Sequence, residues 1–157
     1  MIGLEYERGL AIAERAAALN PNDPVALLHA GLAHFLGGSL ETALERLHYC
    51  IALQPNDAFE AMGIVACVYA ALPRYDEALA WAKRSLAINS NYLPSHWIAV
   101  AAAFHLGREE EARTALRNML ARHPGTTVAG LQRVRPRDRR RDTPLYAALL
   151  GAGLPAA

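Results

Sequence analysis

A short motif recurs along this chain at an almost constant interval, and that interval limits the fold more than any other feature. Leu19-Asn20-Pro21-Asn22-Asp23, Leu53-Gln54-Pro55-Asn56-Asp57 and Ile88-Asn89-Ser90-Asn91-Tyr92 align, and Arg122-His123-Pro124-Gly125 is a degenerate fourth copy. The steps Pro21 to Pro55, Pro55 to Ser90 and Ser90 to Pro124 are 34, 35 and 34 residues. Fixed periods of roughly 20–50 residues mark stacked supersecondary units, none of which buries its apolar face alone.

A second series runs in phase with the first. Ser39-Leu40-Glu41-Thr42-Ala43-Leu44, Arg74-Tyr75-Asp76-Glu77-Ala78-Leu79 and Arg108-Glu109-Glu110-Glu111-Ala112-Arg113 each predict a helix start. Acidic residues in a first turn complement the positive end of the helix dipole. Gly37-Gly38, Leu72-Pro73 and Gly107 precede these starts; glycine supplies a left-handed helix exit and proline cannot continue a helix. Between the breaks lie stretches with apolar residues three and four apart. Each period is therefore helix, tight turn, helix, Asn/Pro turn, and nothing in the chain reads as strands.

Two helices in a 34-residue period closed by a proline resemble the tetratricopeptide repeat (TPR) family, whose pattern is W-x2-L-G-x2-Y, A-x3-F, P. One unit reads Leu27-x2-Ala30-Gly31-x2-His34, Ala43-x3-Leu47, Pro55. The next reads Ala61-x2-Ile64-Val65-x2-Val68, Ala78-x3-Ala82, Ser90, and the last His96-x2-Ala99-Val100-x2-Ala103, Ala112-x3-Leu116, Pro124. Val65 and Val100 stand where the pattern has its close-packing glycine, which puts local packing in question. The resemblance implies an all-α right-handed superhelix of seven repeat helices plus a C-terminal capping helix. Its expected parts are an array over 1–126 (a partial repeat 1–23, then 24–57, 58–92 and 93–126), an arginine-rich connector over 127–142, and a helix and tail over 143–157. Gly9-x3-Ala13 and Pro21 match only the second helix of a repeat, so either the chain is a fragment of a longer protein or one helix of about 18 residues caps the stack.

The resemblance also implies which side chains line the concave face. Leu28, His29, Leu32 and Phe35 come from one helix; Phe59, Met62, Gly63, Ala66 and Tyr69 from the next; Trp97, Ile98, Ala101 and His105 from the last. This face is mostly apolar, and so are the opposite faces of the same helices. A helix apolar all round is normally covered on every side, and an uncovered patch of that size marks a binding site or a liability. One covering is a protein or peptide partner lying in the groove. The other is the chain's own end or a second copy, a homo-oligomer. Leu145, Tyr146, Leu149 and Leu150 form an apolar stripe after Thr143, read as an N-cap, and Pro144, read as a first-turn residue. TPR relatives that grip a chaperone C-terminal carboxylate use Lys, Arg and Asn on this face; apolar residues or His replace them here, which argues against that mode.

Residues with chemistry are sparse. No catalytic constellation, phosphate loop or nucleophile elbow occurs, so no enzyme activity and no cofactor are expected. The six histidines form no HExxH or His-x3-His pair, and no metal site is expected. Cys50 and Cys67 sit in apolar runs and read as buried reduced thiols. The net charge of +1 hides an asymmetry: residues 1–132 carry ten Lys/Arg against thirteen Asp/Glu, and 133–157 carry six Arg against two Asp. Arg133-Val134-Arg135-Pro136-Arg137-Asp138-Arg139-Arg140-Arg141 could meet phosphates, but it has no interleaved aromatics, and a solvated connector pairing with the acidic body is the favoured account over nucleic-acid binding. The apolar run from Ala61 to Leu72 is shorter than the roughly 20 residues of a membrane span. A cytoplasmic protein with no membrane contact is the resulting expectation.

A narrower likeness lies near the end. Gly107-Arg108-Glu109-Glu110-Glu111-Ala112-Arg113, His123-Pro124, the Arg/Pro/Asp connector and Leu149-Leu150-Gly151-Ala152-Gly153-Leu154-Pro155 are similar to the TPR region that follows the output domain in bacterial class III adenylate cyclase-like proteins and winged-helix transcriptional regulators. Neither output domain is recognisable in this sequence. That likeness implies a protein-interaction scaffold in signalling, without the cyclase activity.

Overall fold

The structure, a computed structural model, describes the backbone of residues 2–134 and 139–157 and the side chains of residues 5–133 and 144–157. Among the described residues it is entirely helical: α1 (Ile2–Leu19), α2 (Pro24–Gly37), α3 (Leu40–Leu53), α4 (Phe59–Ala71), α5 (Tyr75–Ile88), α6 (Leu93–His105), α7 (Glu109–Arg122), α8 (Val128–Val134) and α9 (Arg139–Ala152). Successive helices from α1 to α7 pack as neighbours, while α2, α4 and α6 also touch one another and form an inner layer.

Turn chemistry fixes the hairpins. Asp23 caps α2 by accepting the Val25 N–H at 2.9 Å, and Pro24 fills the first turn, where its missing N–H costs nothing. The exits of α2, α4 and α6 share one motif: Ser39 N–H donates to His34 O, Arg74 N–H to Tyr69 O, and Arg108 N–H to Ala103 O. This six-to-one bond requires a left-handed residue just before its donor. Gly38 (φ 87°) and Gly107 (φ 70°) supply it, and in the middle turn Pro73 is held at φ 30°.

Small side chains let paired helices approach. A Cβ on Gly31 would stand 2.5 Å from Leu47 Cγ, so only glycine fits there without a shift. Where Val65 and Val100 replace that glycine, both are fully buried. In the α4/α5 hairpin the sizes are exchanged, since Ala82 holds the repeat position of Leu47. Equivalent second-helix positions also donate to the start of their partner helices: Cys50 Sγ to Pro24 O at 3.3 Å, and Ser85 Oγ to Phe59 O at 2.7 Å. Cys50 is buried, and Cys67 is half-buried.

Two expectations need correction. The stretch read as a connector contains a short helix, α8, whose first N–H groups are bonded by the chain's own tail: Val128 N–H donates to Pro155 O and Ala129 N–H to Ala156 O, both at 2.9 Å. In addition, the last helix starts at Arg139, so Thr143 is not its N-cap and Pro144 lies inside it. A proline at this depth removes one N–H bond near the helix start. Packing of Leu145, Tyr146, Ala148 and Leu149, all buried, holds the helix together downstream. Residues 135–138 of the arginine run lie outside the described residues. No described helix is long and apolar enough to cross a membrane.

Candidate functional site

Concave-face positions follow from the inner layer of α2, α4 and α6, and the structure divides the expected residues into four groups. Met62, Ala66 and Trp97 are buried in the core. Leu28, His29 and Phe59 lie together beside a shallow depression between α2 and the start of α4. Phe35, Ile98, Ala101 and His105 gather at the other end of the groove, around a pocket of ≈ 190 Å³. Leu32 and Tyr69 lie half-buried, packed against the α2–α4 cluster.

Two features divide the groove. The first is Tyr92, in the turn before α6. Its ring packs edge-on to Phe59 (centroids 5.2 Å apart) and lies against Gly63, where an added Cβ would stand 2.5 Å from Tyr92 Cε1. Burial, then the nearby Cys67 and Glu60, push the Tyr92 phenol above its ordinary pKa, so it stays neutral. The second is α9, which packs chiefly on α6. Trp97, Ile98 and Ala101 share one buried cluster with Leu145, Tyr146 and Leu149. Helix α9 thereby turns the open groove into a pocket, with Pro144 and Leu145 as one wall.

The pocket's remaining walls are Cys67, Ala70 and Ala71 of α4, Pro73 of the following turn, Tyr75 at the start of α5, and Ala102 of α6. The sequence expectation missed these. Their signal was available in principle, because Cys67 and Ala70 continue the Gly63 stripe at helical spacing. At the rim, Tyr75 and His105 stack with centroids 4.3 Å apart and planes 13° from parallel. His105 Nε2–H donates to Pro144 O at 3.2 Å, pinning α9 to the end of α6. Arg74 lies over the Tyr69 ring at 4.7 Å and pairs with Glu77. The site is thus an apolar cavity with an aromatic rim. Among the described residues no cluster of three or more His, Cys, Asp or Glu could hold a metal ion.

Neither a protein-family model nor a curated protein matches the chain by sequence. Solved structures do match by shape. A crystal structure of MamA superposes with a TM-score of 0.70 at 18% identity, covering 98% of this chain and 76% of that one. TTC0263, a thermophilic TPR protein in Thermus thermophilus, gives 0.68 at 23% identity over 92% of this chain and 91% of its own. The first TPR of Spaghetti (RPAP3) bound to the HSP90 peptide SRMEEVD gives 0.64 at 20%, covering 78% and 92%. The fold is that of TPR proteins. The TPR inner layer is therefore α2, α4 and α6, and the outer layer holds α1, α3, α5 and α7. Inter-repeat polar links lie outside the pocket: Glu14 bridges Arg46 (2.7 Å) and His34 (2.8 Å), and Arg108 reaches Asp76 at 2.6 Å. Burial raises the Glu14 pKa, but hydrogen bonds from His34 and Arg46 outweigh it and the net shift is downward.

Proposed function

We propose that this chain is a non-catalytic protein-interaction scaffold that holds a short segment of a protein partner in the pocket between Phe35, Ala70, Ile98, His105 and Leu145. The observation that supports this reading is the pocket itself, an apolar opening left on the concave face after α9 has covered Trp97. Apolar pockets with few polar groups are the usual form of recognition sites, and one structural neighbour is bound to an HSP90 peptide. The likeness of the C-terminal stretch to TPR regions beside cyclase-like or winged-helix output domains supports a regulatory setting in a bacterial cytoplasm.

A peptide-display selection against the chain, counter-screened with Ala70→Trp, tests the reading. Ala70 is only half-buried, so the indole fills the pocket without entering the core. Selected peptides should carry a large apolar anchor and lose at least about tenfold in affinity for the variant, roughly the 1–3 kcal/mol of one buried side chain. Peptides that bind both proteins equally would place recognition elsewhere. Trp97→Ala is not a suitable probe, since Trp97 is only 7% exposed and its loss would test stability instead.

A second reading rests on α9. Its seat on α6 supports a purely structural unit in which the C-terminal helix is the groove's permanent occupant. Under that reading, the selection returns no peptide sensitive to Ala70→Trp.

A further inference from the structure

Neighbouring outer helices are bridged at one recurring pair of repeat positions. Glu14, His48 and Lys83 share the first position, and Arg46, Trp81 and Ala115 share the second, in register with the 34- and 35-residue steps. Between α1 and α3 the bridge is an ion pair, Arg46 to Glu14 at 2.7 Å. Between α3 and α5 it is a ring contact, Trp81 to His48 with centroids 5.2 Å apart, and Arg84 lies over the same indole at 4.0 Å. Between α5 and α7 the pair fails. Ala115 has no side chain long enough to cross, and Lys83 pairs with Glu111 instead. Ala99 likewise stands where Ile64 does one repeat earlier. A depression of ≈ 370 Å³ remains, lined on its apolar side by Leu79, Leu86, Ala99 and Ala115. It lies between two complete hairpins, α4–α5 and α6–α7.

One buried polar side chain serves this space. His96 is 4% exposed and lines the depression. Its Nε2–H donates to Ser90 O at 2.8 Å, which leaves Nδ1 with a lone pair able to accept a hydrogen bond. Nδ1 has no hydrogen-bond partner among the described residues and is not sealed from solvent, so the depression is its outlet. Burial holds the His96 pKa below the ordinary 6.5, against the bond to Ser90 O, and the imidazole is therefore a neutral acceptor at pH 7.

We propose that this depression binds a small planar aromatic molecule carrying one N–H donor, an indole-type ring, in the space that Trp81 fills one repeat earlier. The apolar side takes the face of the ring, and the N–H of the ring meets His96 Nδ1. The volume falls within the roughly 300–1,000 Å³ of small-molecule sites, which combine apolar walls with few polar groups. An anionic ligand is disfavoured, because Nδ1 offers a lone pair and Glu110 and Glu111 stand at the rim. A free ring fits better than one borne by a partner segment. Beside the depression α7 shows Glu110, Arg113, Arg117 and Asn118, all exposed, so a polypeptide would find no further apolar surface there. The proposal is independent of the groove reading, since the two cavities share no lining residue.

Indole itself, titrated to about 5 mM into the isotope-labelled full chain, reads the outcome through backbone amide shifts. The expected result is a Kd of about 1 mM or tighter, with the largest shifts at Lys83, Thr114 and Asn118. 1-Methylindole keeps the ring and lacks the donor, and it should bind at least about threefold more weakly. Ala115→Trp rebuilds the bridge of the preceding junction and should abolish binding. Ala115→Leu is a smaller filler at the same half-buried position; it should weaken binding at least about tenfold and decides the matter where the larger side chain disturbs the fold. Circular dichroism verifies the helicity of each variant. No shift at the highest indole concentration overturns the proposal, as do shifts centred on Phe35 and His105 in the concave pocket. Binding that survives filling in a folded variant, or equal affinity for 1-methylindole, does the same. N-acetyl-tryptophanamide binding more than about tenfold tighter than indole would give the site to a protein side chain instead.

Discussion

Tyr92 rests against bare backbone: a Cβ on Gly63 would lie 2.5 Å from Tyr92 Cε1 and 2.8 Å from Ser95 Oγ. Ser95 is fully buried and donates to Ser85 Oγ at 2.8 Å, so it cannot withdraw freely. Gly63→Ala should therefore destabilise the protein by about 1–3 kcal/mol, as overpacking does. Gain of helix propensity offsets up to about 1 kcal/mol of that loss. Urea unfolding checks the sign; a variant more stable than the parent would mean that the Tyr92 ring is not held at this position.

Pro73 occupies the left-handed position of the α4–α5 turn, where Gly38 and Gly107 serve the other two hairpins. A proline ring favours φ near −65°, yet here φ is 30°. Proline also lacks the N–H that Gly38 donates to Phe35 O and Gly107 donates to Phe104 O. Pro73→Gly relieves strain worth about 1–3 kcal/mol and gives back about 0.4–1 kcal/mol by loosening the unfolded chain. The net expectation is a higher Tm, by a few degrees, in a calorimetric scan. A lower Tm would refute it.

Acid sensitivity should begin above the carboxylate range. His96 is buried, and burial holds its pKa below the ordinary 6.5; Arg122 and His123 act in the same direction, against the bond from Nε2–H to Ser90 O at 2.8 Å. His48 is shifted the same way, by burial and then by Arg84. The folded state therefore takes up a proton less readily than the unfolded chain. This contribution is complete above pH 6.5 and is lost as pH falls from there through the depressed folded values. Denaturant midpoints measured from pH 8 to pH 5 should decline, and His96→Gln should flatten the decline. Equal slopes in the two proteins would exclude His96 as its source.

Leu149 is fully buried on α9. Leu149→Ala should cost about 2–5 kcal/mol and raise the exposure of Trp97, visible as a red shift in tryptophan emission. An unchanged spectrum with full stability would mean that α9 is not seated on α6 in solution.

The repeats were legible because turn chemistry is local: Asn, Pro and Gly at fixed offsets set helix ends wherever they occur. The candidate site was only half legible. Phe35, Ile98, Ala101 and His105 could be placed from repeat register, because register decides which way an inner helix faces. Trp97 could not, since its burial depends on α9, which joins it from about fifty residues away. Helix α8 was hidden for a related reason. Its seven residues include Gly130, and its N-terminus is completed by carbonyls of Pro155 and Ala156. The fit of Val65 likewise needed knowledge of a second position in the hairpin, since Ala82 holds the repeat position that Leu47 fills beside Gly31.

The seat of α9 on α6 also orders events at the ribosome. Helix α6 is complete some thirty residues of synthesis before α9 begins. A nascent chain must therefore carry Trp97, Ile98 and Ala101 without their cover while translation proceeds. During that interval the uncovered stripe of α6 carries the aggregation hazard of any exposed apolar surface, and the hazard ends only when α9 is seated.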